Sequence, residues 1–138
     1  MKQHLAVLGF ETPGRGLIEI TETLRQWMRE TDIRVGLLTL HCQHTSASIL
    51  INENAADAVQ SDLLDWLDRI APESKCYAHD SEGPDDMPAH LKTALTGVNL
   101  SLPVADGRMM LGTWQGIFLA EHRAQPHKRS VAVHLIGE

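Results

Sequence analysis

The chain has 138 residues, 43% of them apolar and 22% charged, with a formal net charge of -6 at pH 7. That balance describes a folded chain, read as a single domain over 1–138 that can bury roughly two-thirds of its unfolded surface, and excludes a disordered one. No Lys/Arg-rich block stands out, so neither nucleic acid nor an anionic membrane is expected as a partner.

Along the chain, residues 3–10 read as a first strand carrying Leu5, Val7 and Leu8, followed by a turn rich in breakers over 11–16. Gly, Glu and Pro interrupt any apolar run within the first twenty residues, and no stretch reaches transmembrane length. With only Cys42 and Cys76, and no CxxC pattern, the expectation is a cytoplasmic chain with reduced thiols and Cys42 in the core. Ile20, Leu24, Trp27 and Met28 recur at helical spacing. Residues 33–41 alternate as a strand, which resumes at 48–51 after a polar interruption.

Val59, Leu63, Trp66, Leu67 and Ile70 form the apolar stripe of a second helix, with Asn54 as its expected cap and Pro72 as its stop. A third, shorter helix is predicted over 87–95, with Pro88 in its first turn. From Val98 onward the pattern is strand: 98–104, an Asp106-Gly107 hairpin turn, 108–111, 113–123 and 128–136. Helices early and strands late predict an α+β fold on a largely antiparallel sheet or sandwich. Apolar residues on both parities, as at Leu37, Leu38 and Leu40, predict strands covered on both faces, by helices or by another subunit.

Three constellations carry chemistry. In the first, His79 and His90 bracket Asp80, Glu82, Asp85 and Asp86, and Gly83, Pro84 and Pro88 constrain the loop. Like charges crowded in this way repel, and a cation or protons would relieve them. The bland alternative is a solvated acidic loop in which Asp85 or Asp86 caps the next helix. The second is Gln43-His44-Thr45-Ser46-Ala47-Ser48, polar side chains interrupting an apolar strand and so lining a pocket or an interface. A Ser-His nucleophile pair is discounted there, because no orienting third group and no nucleophile-elbow glycines accompany it. The third is Gly112-Thr113-Trp114-Gln115-Gly116, where Trp114 offers a flat apolar wall and Gln115 an amide. No Gly-rich phosphate loop is present.

In order and spacing, Gln43 to Ser48, Asn52-Glu53-Asn54, Tyr77-x-His79-Asp80, Glu82-Gly83, Asp86-Met87-Pro88, His90 and Gly107-x4-Gly112-Thr113-Trp114-Gln115 resemble the YjbQ-like UPF0047 family over almost the whole chain. The resemblance implies an α+β homotrimer with pockets near subunit contacts. It also implies thiamine-phosphate synthase activity, which joins a hydroxymethylpyrimidine diphosphate to a thiazole phosphate and releases diphosphate. Pro84 stands where relatives more usually carry small residues.

Carried over residue by residue, His44, His79 and His90 are the expected metal ligands, and His44, Glu82 and Asp86 the expected catalytic groups. Thr45, Ser46, Asn54, Trp114, Gln115 and Arg108 are expected to contact a small phosphorylated metabolite, with Arg108 or Arg123 as phosphate anchor. The cofactor expected is a divalent ion: Zn²⁺ if histidines dominate the shell, Mg²⁺ if carboxylates and water do. Two alternatives share these residues: a non-catalytic trimer binding a metal or small anion, and a metal-assisted hydrolase.

Overall fold

The computed structural model describes residues 1–73 and 76–138, so part of the 71–86 connection lies outside the described residues. In chain order the elements are β1 (Lys2–Thr12), β2 (Gly16–Glu19), α1 (Thr21–Arg29), β3 (Gly36–Cys42), β4 (Ala47–Glu53), α2 (Asp57–Ile70), α3 (Asp86–Thr96), β5 (Asn99–Ala105), β6 (Arg108–Met109), β7 (Gln115–Glu121) and β8 (His127–Gly137). This is the α+β class expected, with every strand pair antiparallel. The strands form a five-stranded sheet, β1-β8-β3-β5-β6, and a three-stranded sheet, β2-β7-β4.

The two sheets enclose one apolar cluster. Leu38, Leu40, Val104, Val131, Val133 and Leu135 come from the larger sheet, Ile49, Ile117 and Leu119 from the smaller, and Leu24 and Met28 from α1. Period-two alternation places them on the facing sides of their strands. β7 is buried on both parities. Ile117 and Leu119 enter the main cluster, whereas Phe118 and Ala120 turn the other way. That second face is the one reached by α3, whose Thr96 hydroxyl meets the Ser48 hydroxyl of β4 at 2.6 Å.

Elsewhere the expected cover is missing within one chain. Leu5, Val7 and Leu37 are 74%, 60% and 44% exposed on the outer side of the five-stranded sheet. The apolar stripe of α2 buries only Leu67, and Val59, Trp66 and Ile70 face solvent. The expected Asn54 cap does not form. Ala56 is the N-cap residue, the Glu53 carboxylate accepts the backbone N–H groups of Ala55 and Ala56, and the Asn54 amide turns away to Glu19. One carboxylate oxygen, Glu53 Oε2, takes both N–H groups, since it carries more than one lone pair and so holds the chain entering the helix from outside it. The short strand β2 has no counterpart in the sequence expectation, whose turn over 11–16 reaches only Gly16. Its four residues are held by pairing with β7 and leave no periodicity of their own.

Candidate functional site

The third helix begins inside the acidic run, and this start builds the site. Asp86, in the first turn of α3, is 3% exposed, and its two carboxylate oxygens point to different partners. Oδ1 accepts from Arg123 Nη1 at 2.7 Å. Oδ2 lies 2.8 Å from His79 Nε2 and 3.3 Å from His90 Nε2. Glu82 Oε2 lies 3.1 Å from the same His79 nitrogen. His79, Glu82, Asp86 and His90 thus each offer one ligand atom, all within 4.8 Å of one another. Spacing explains the convergence: Asp86 and His90 are four apart on one helix and share a face, and the Gly83-Pro84 turn folds His79 and Glu82 back onto them.

The proton positions matter. A carbonyl can only accept, so the 2.9 Å contact between His90 Nδ1 and the Thr45 carbonyl fixes the proton on Nδ1. The Nε2 lone pair of a neutral His90 then faces a carboxylate oxygen. Two acceptors at that distance repel unless a proton or a metal cation lies between them. A ring N–H held by a backbone carbonyl is also the usual support of a metal-bound imidazole. His79 feels the hydrogen bond to Asp86 above all, and its pKa is raised despite desolvation. For Asp86, burial alone would raise the pKa, but the His79 hydrogen bond and the charges of His90 and Arg123 outweigh it and hold the carboxyl low.

Arg123, expected as a phosphate anchor, is instead the clamp of this loop. Its guanidinium donates to Asp85 at 3.0 Å, to Asp86 and to the Glu82 carbonyl at 2.9 Å. Asp85 occupies the N-cap position of α3 without a side-chain cap bond and accepts from Arg123 and from the Ala124 N–H. The bland reading of Asp85 or Asp86 as a simple helix cap is therefore replaced by a charged clamp.

His44 does not join the cluster, which corrects the expectation that it shares a metal with His79 and His90. Its Nε2 accepts the Ser130 N–H at 2.7 Å, and Arg129 Nη1 stands 3.4 Å from Nδ1. The lone pair a metal would need is already in use. Burial, then the charge of Arg129, pushes the His44 pKa down, so the ring is a neutral acceptor and no general acid near neutral pH. Ser46 also faces inward, accepting from Arg129 Nη2 at 3.0 Å. Of this segment only Thr45 touches the cluster, through its backbone carbonyl.

The third constellation gathers at the far end of β4. The Asn54 N–H donates to the Trp114 carbonyl at 3.0 Å, and Glu53 pairs with Gln115. Gln115 Oε1 is committed to the Gly112 N–H at 2.8 Å, and Trp114 is 64% exposed, a wall facing solvent. Seven strand residues separate this group from Thr45, or roughly 20 Å of extended chain. Within one chain, Asn54, Trp114 and Gln115 do not share a site with the histidines. Arg108 lines a separate cavity beside α1.

Two buried networks escaped the sequence reading. Glu121, fully buried, accepts from Arg129 Nε at 2.7 Å and from the Thr12 hydroxyl at 2.6 Å. His122, 2% exposed, meets the Ser48 hydroxyl at 2.9 Å, and burial pushes its pKa down to about 4. The signal was present in Glu121-His122-Arg123 closing an otherwise apolar strand, since adjacent charges there must face opposite sides of a covered sheet.

A model of the family described as UPF0047 protein YjbQ-like matches residues 7–138. A UPF0047 protein of Synechocystis is 42% identical over 138 residues, covering 99% of this chain and 94% of that protein. The YjbQ protein of Escherichia coli O157:H7 is 42% identical over 132 residues, covering 95% and 96%. Among solved structures, a YjbQ/UPF0047-family protein from Clostridium acetobutylicum superposes with a TM-score of 0.87 at 32% identity, covering 95% of this chain and 99% of that one. A YbjQ-like protein from Sulfolobus solfataricus gives a TM-score of 0.88 at 24% identity over 99% of this chain and 100% of that one, a likeness of fold.

Proposed function

The chain belongs to the YjbQ-like UPF0047 family, and from that premise we propose that His79, Glu82, Asp86 and His90 hold a divalent metal in a thiamine-phosphate synthase-like transferase. The metal half of this reading is supported by one observation: His90 Nε2 stands 3.3 Å from Asp86 Oδ2, with Nδ1 anchored on the Thr45 carbonyl. Two imidazoles and two carboxylates suit Zn²⁺ or a similar ion better than Mg²⁺, which prefers an all-oxygen shell. The transferase half is supported by the family resemblance.

In that reaction the bond from the pyrimidine methylene carbon to diphosphate breaks, the diphosphate leaves with the electron pair, and the same carbon bonds to the thiazole nitrogen. A bound metal would supply positive charge to the departing diphosphate. The chain's own residues set the frame. Arg123 fixes Asp86 so that only Oδ2 faces the cluster, Thr45 orients His90, and the exposed Glu82 and His79 stand at the solvent side, where a proton can be held or passed.

A non-catalytic protein binding a metal or small anion is the second reading. It is favoured by the commitment of Arg123 to Asp85, Asp86 and the Glu82 carbonyl, which leaves this guanidinium no role in gripping diphosphate.

The test compares wild type with His90→Ala and Asp86→Asn for bound metal and for thiamine phosphate made from the two synthetic precursors. The transferase predicts about one tightly held metal per chain, and turnover that disappears with it. Metal without turnover in the wild type selects the binding protein. A wild type that takes up no metal removes the metal-dependent transferase and the metal-binding protein, and leaves only a protein that binds a small anion. We also propose self-assembly, as a homotrimer, through the uncovered outer side of the five-stranded sheet. It is supported by the exposure of Leu5, Val7 and Leu37 there.

A further inference from the structure

A cavity of about 690 Å³ lies between the C-terminal half of α1, the segment leading to β3, and the β5–β6 hairpin. Arg25, Arg29, Arg34 and Arg108 line it. These are four of the twelve Lys and Arg residues in a chain of net charge -6, so the gathering runs against the overall charge of the molecule. Below them lie the apolar side chains of Met28 and Met109, 5% and 9% exposed.

Asp32 and Asp106 also line the cavity, so four guanidinium groups face two carboxylates there. Asp32 is already paired with Lys2 and with His4, the latter at 3.3 Å. Glu22 is shared by Arg25 at 3.6 Å and Arg29 at 3.2 Å. Asp106 is 3.8 Å from Arg34. The Arg108 side chain has no ion pair or hydrogen bond among the described residues. The hairpin that carries it is positioned: Asp106 and Gly107 both adopt positive φ, and the Gly107 N–H donates to the Arg34 carbonyl at 2.9 Å. Arg34 and Arg108 are thereby held on adjoining backbone, on the same side of the cavity.

We infer that this cavity is an anion site for a small phosphorylated metabolite, with phosphate groups on the guanidinium rim and an apolar or ring-shaped body on the methionine floor. A guanidinium matches phosphate through paired N–H donors, which a carboxylate partner at 3.8 Å does not satisfy. Methionine adapts to flat, irregular bodies. The volume falls within the range of small-molecule sites. The assignment is independent of the metal reading, since none of the four metal-cluster residues lines this cavity.

The experiment is calorimetric titration of the full chain with ADP, inorganic diphosphate and adenosine, in EDTA and at near-physiological salt. Wild type is compared with Arg34→Gln/Arg108→Gln and with His79→Ala/His90→Ala. ADP is expected to bind most tightly, diphosphate more weakly, and adenosine not at all. The arginine variant should weaken ADP by about tenfold or more, and the histidine variant should leave it unchanged. Both arginines are exposed, so their replacement leaves the core intact, and Arg108→Glu alone should also abolish ADP binding. No ADP binding by wild type, equal binding by the arginine variants, binding of adenosine as tight as ADP, or loss of binding in the histidine variant would each overturn the assignment.

Discussion

At the scale of single residues, the chain separates histidines by what their second nitrogen touches. His90 faces a carbonyl and must carry its proton there, which frees the other nitrogen for a ligand. His44 faces a backbone donor and must accept, which leaves it nothing to give. His122 is the third case, a neutral ring sealed beside Ser48, with burial and then the charge of Lys92 holding its pKa at about 4. An unfolded histidine titrates near 6.5, so between about pH 6.5 and 4 the unfolded chain binds the extra proton and the folded chain does not. Stability should therefore be complete above about pH 6.5 and fall as the pH drops toward 4, by on the order of 3 kcal/mol from this residue. Urea unfolding across that range, in wild type and in His122→Gln, measures it. The variant should lose stability at neutral pH and show a flatter acid limb, and an unchanged limb would remove His122 as its source.

At the scale of elements, the connection between the two sheets is a buried ion pair. Glu121 ends β7 of the smaller sheet and Arg129 sits in β8 of the larger, with Thr12 of β1 completing the carboxylate's shell. Arg129→Ala is expected to cost about 3–5 kcal/mol, because it leaves Glu121 charged in the core without its counter-charge. The double change Arg129→Met/Glu121→Leu should cost far less, since no charge is then stranded. Equal losses in the single and double variants, read by urea unfolding, would show that packing rather than charge holds this junction.

The same junction marks what the sequence could and could not tell. Alternation along Leu100, Leu102 and Val104, the helical spacing of Leu24 and Met28, and the Asp106-Gly107 turn are local patterns, and the elements they predict are present. The cluster of His79, Glu82, Asp86 and His90 was legible for the same reason: its members lie within one short run whose breakers force it to fold on itself. The role of His44, the clamp by Arg123 and the Arg129 pair were not. The first two depend on partners 37 to 86 residues away, and such distances leave no trace in spacing. Arg129 and Glu121 are only eight residues apart but lie in different sheets, a placement that local spacing does not reveal. Trp114 and Gln115 differ again: the glycines flanking them mark a turn, but not that Trp114 tops it exposed while the Gln115 amide closes it on Gly112.

At the scale of the molecule, apolar surface without cover sets the expectation of assembly. Leu5 and Val7 on β1 and Leu37 on β3 stand on either side of β8, where Ala132 pairs with Val7 and Ile136 with Leu37, while His134 pairs with both Leu5 and Thr39 and sets polar groups among them. Large apolar side chains grouped on one exposed sheet face mark an interaction surface. Sedimentation should return three times the chain mass of 15.3 kDa for the wild type and the single mass for Leu5→Asp/Val7→Asp. A double variant that still trimerises would move the interface to the other exposed face, that of Val59, Trp66 and Ile70 on α2.

The order of strands in the larger sheet governs how the chain reaches this state. β8 lies between β1 and β3, joined from Lys2 to Gly137 on one side and from Gly36 to Gly137 on the other, yet it follows every other element in the sequence. Until it arrives, β1 has no neighbour at all and β3 has one. Such long-range pairing closes large loops before any contact rewards them, which places folding in the slow range of roughly milliseconds to seconds. A nascent chain that has released α3 already carries the whole histidine–carboxylate run, but β7, which pairs with β4 beneath it, and Arg123, which clamps it, have yet to follow. Shortening β8 should therefore abolish folding outright, where a comparable trim of β6 at the opposite edge costs only a short hairpin.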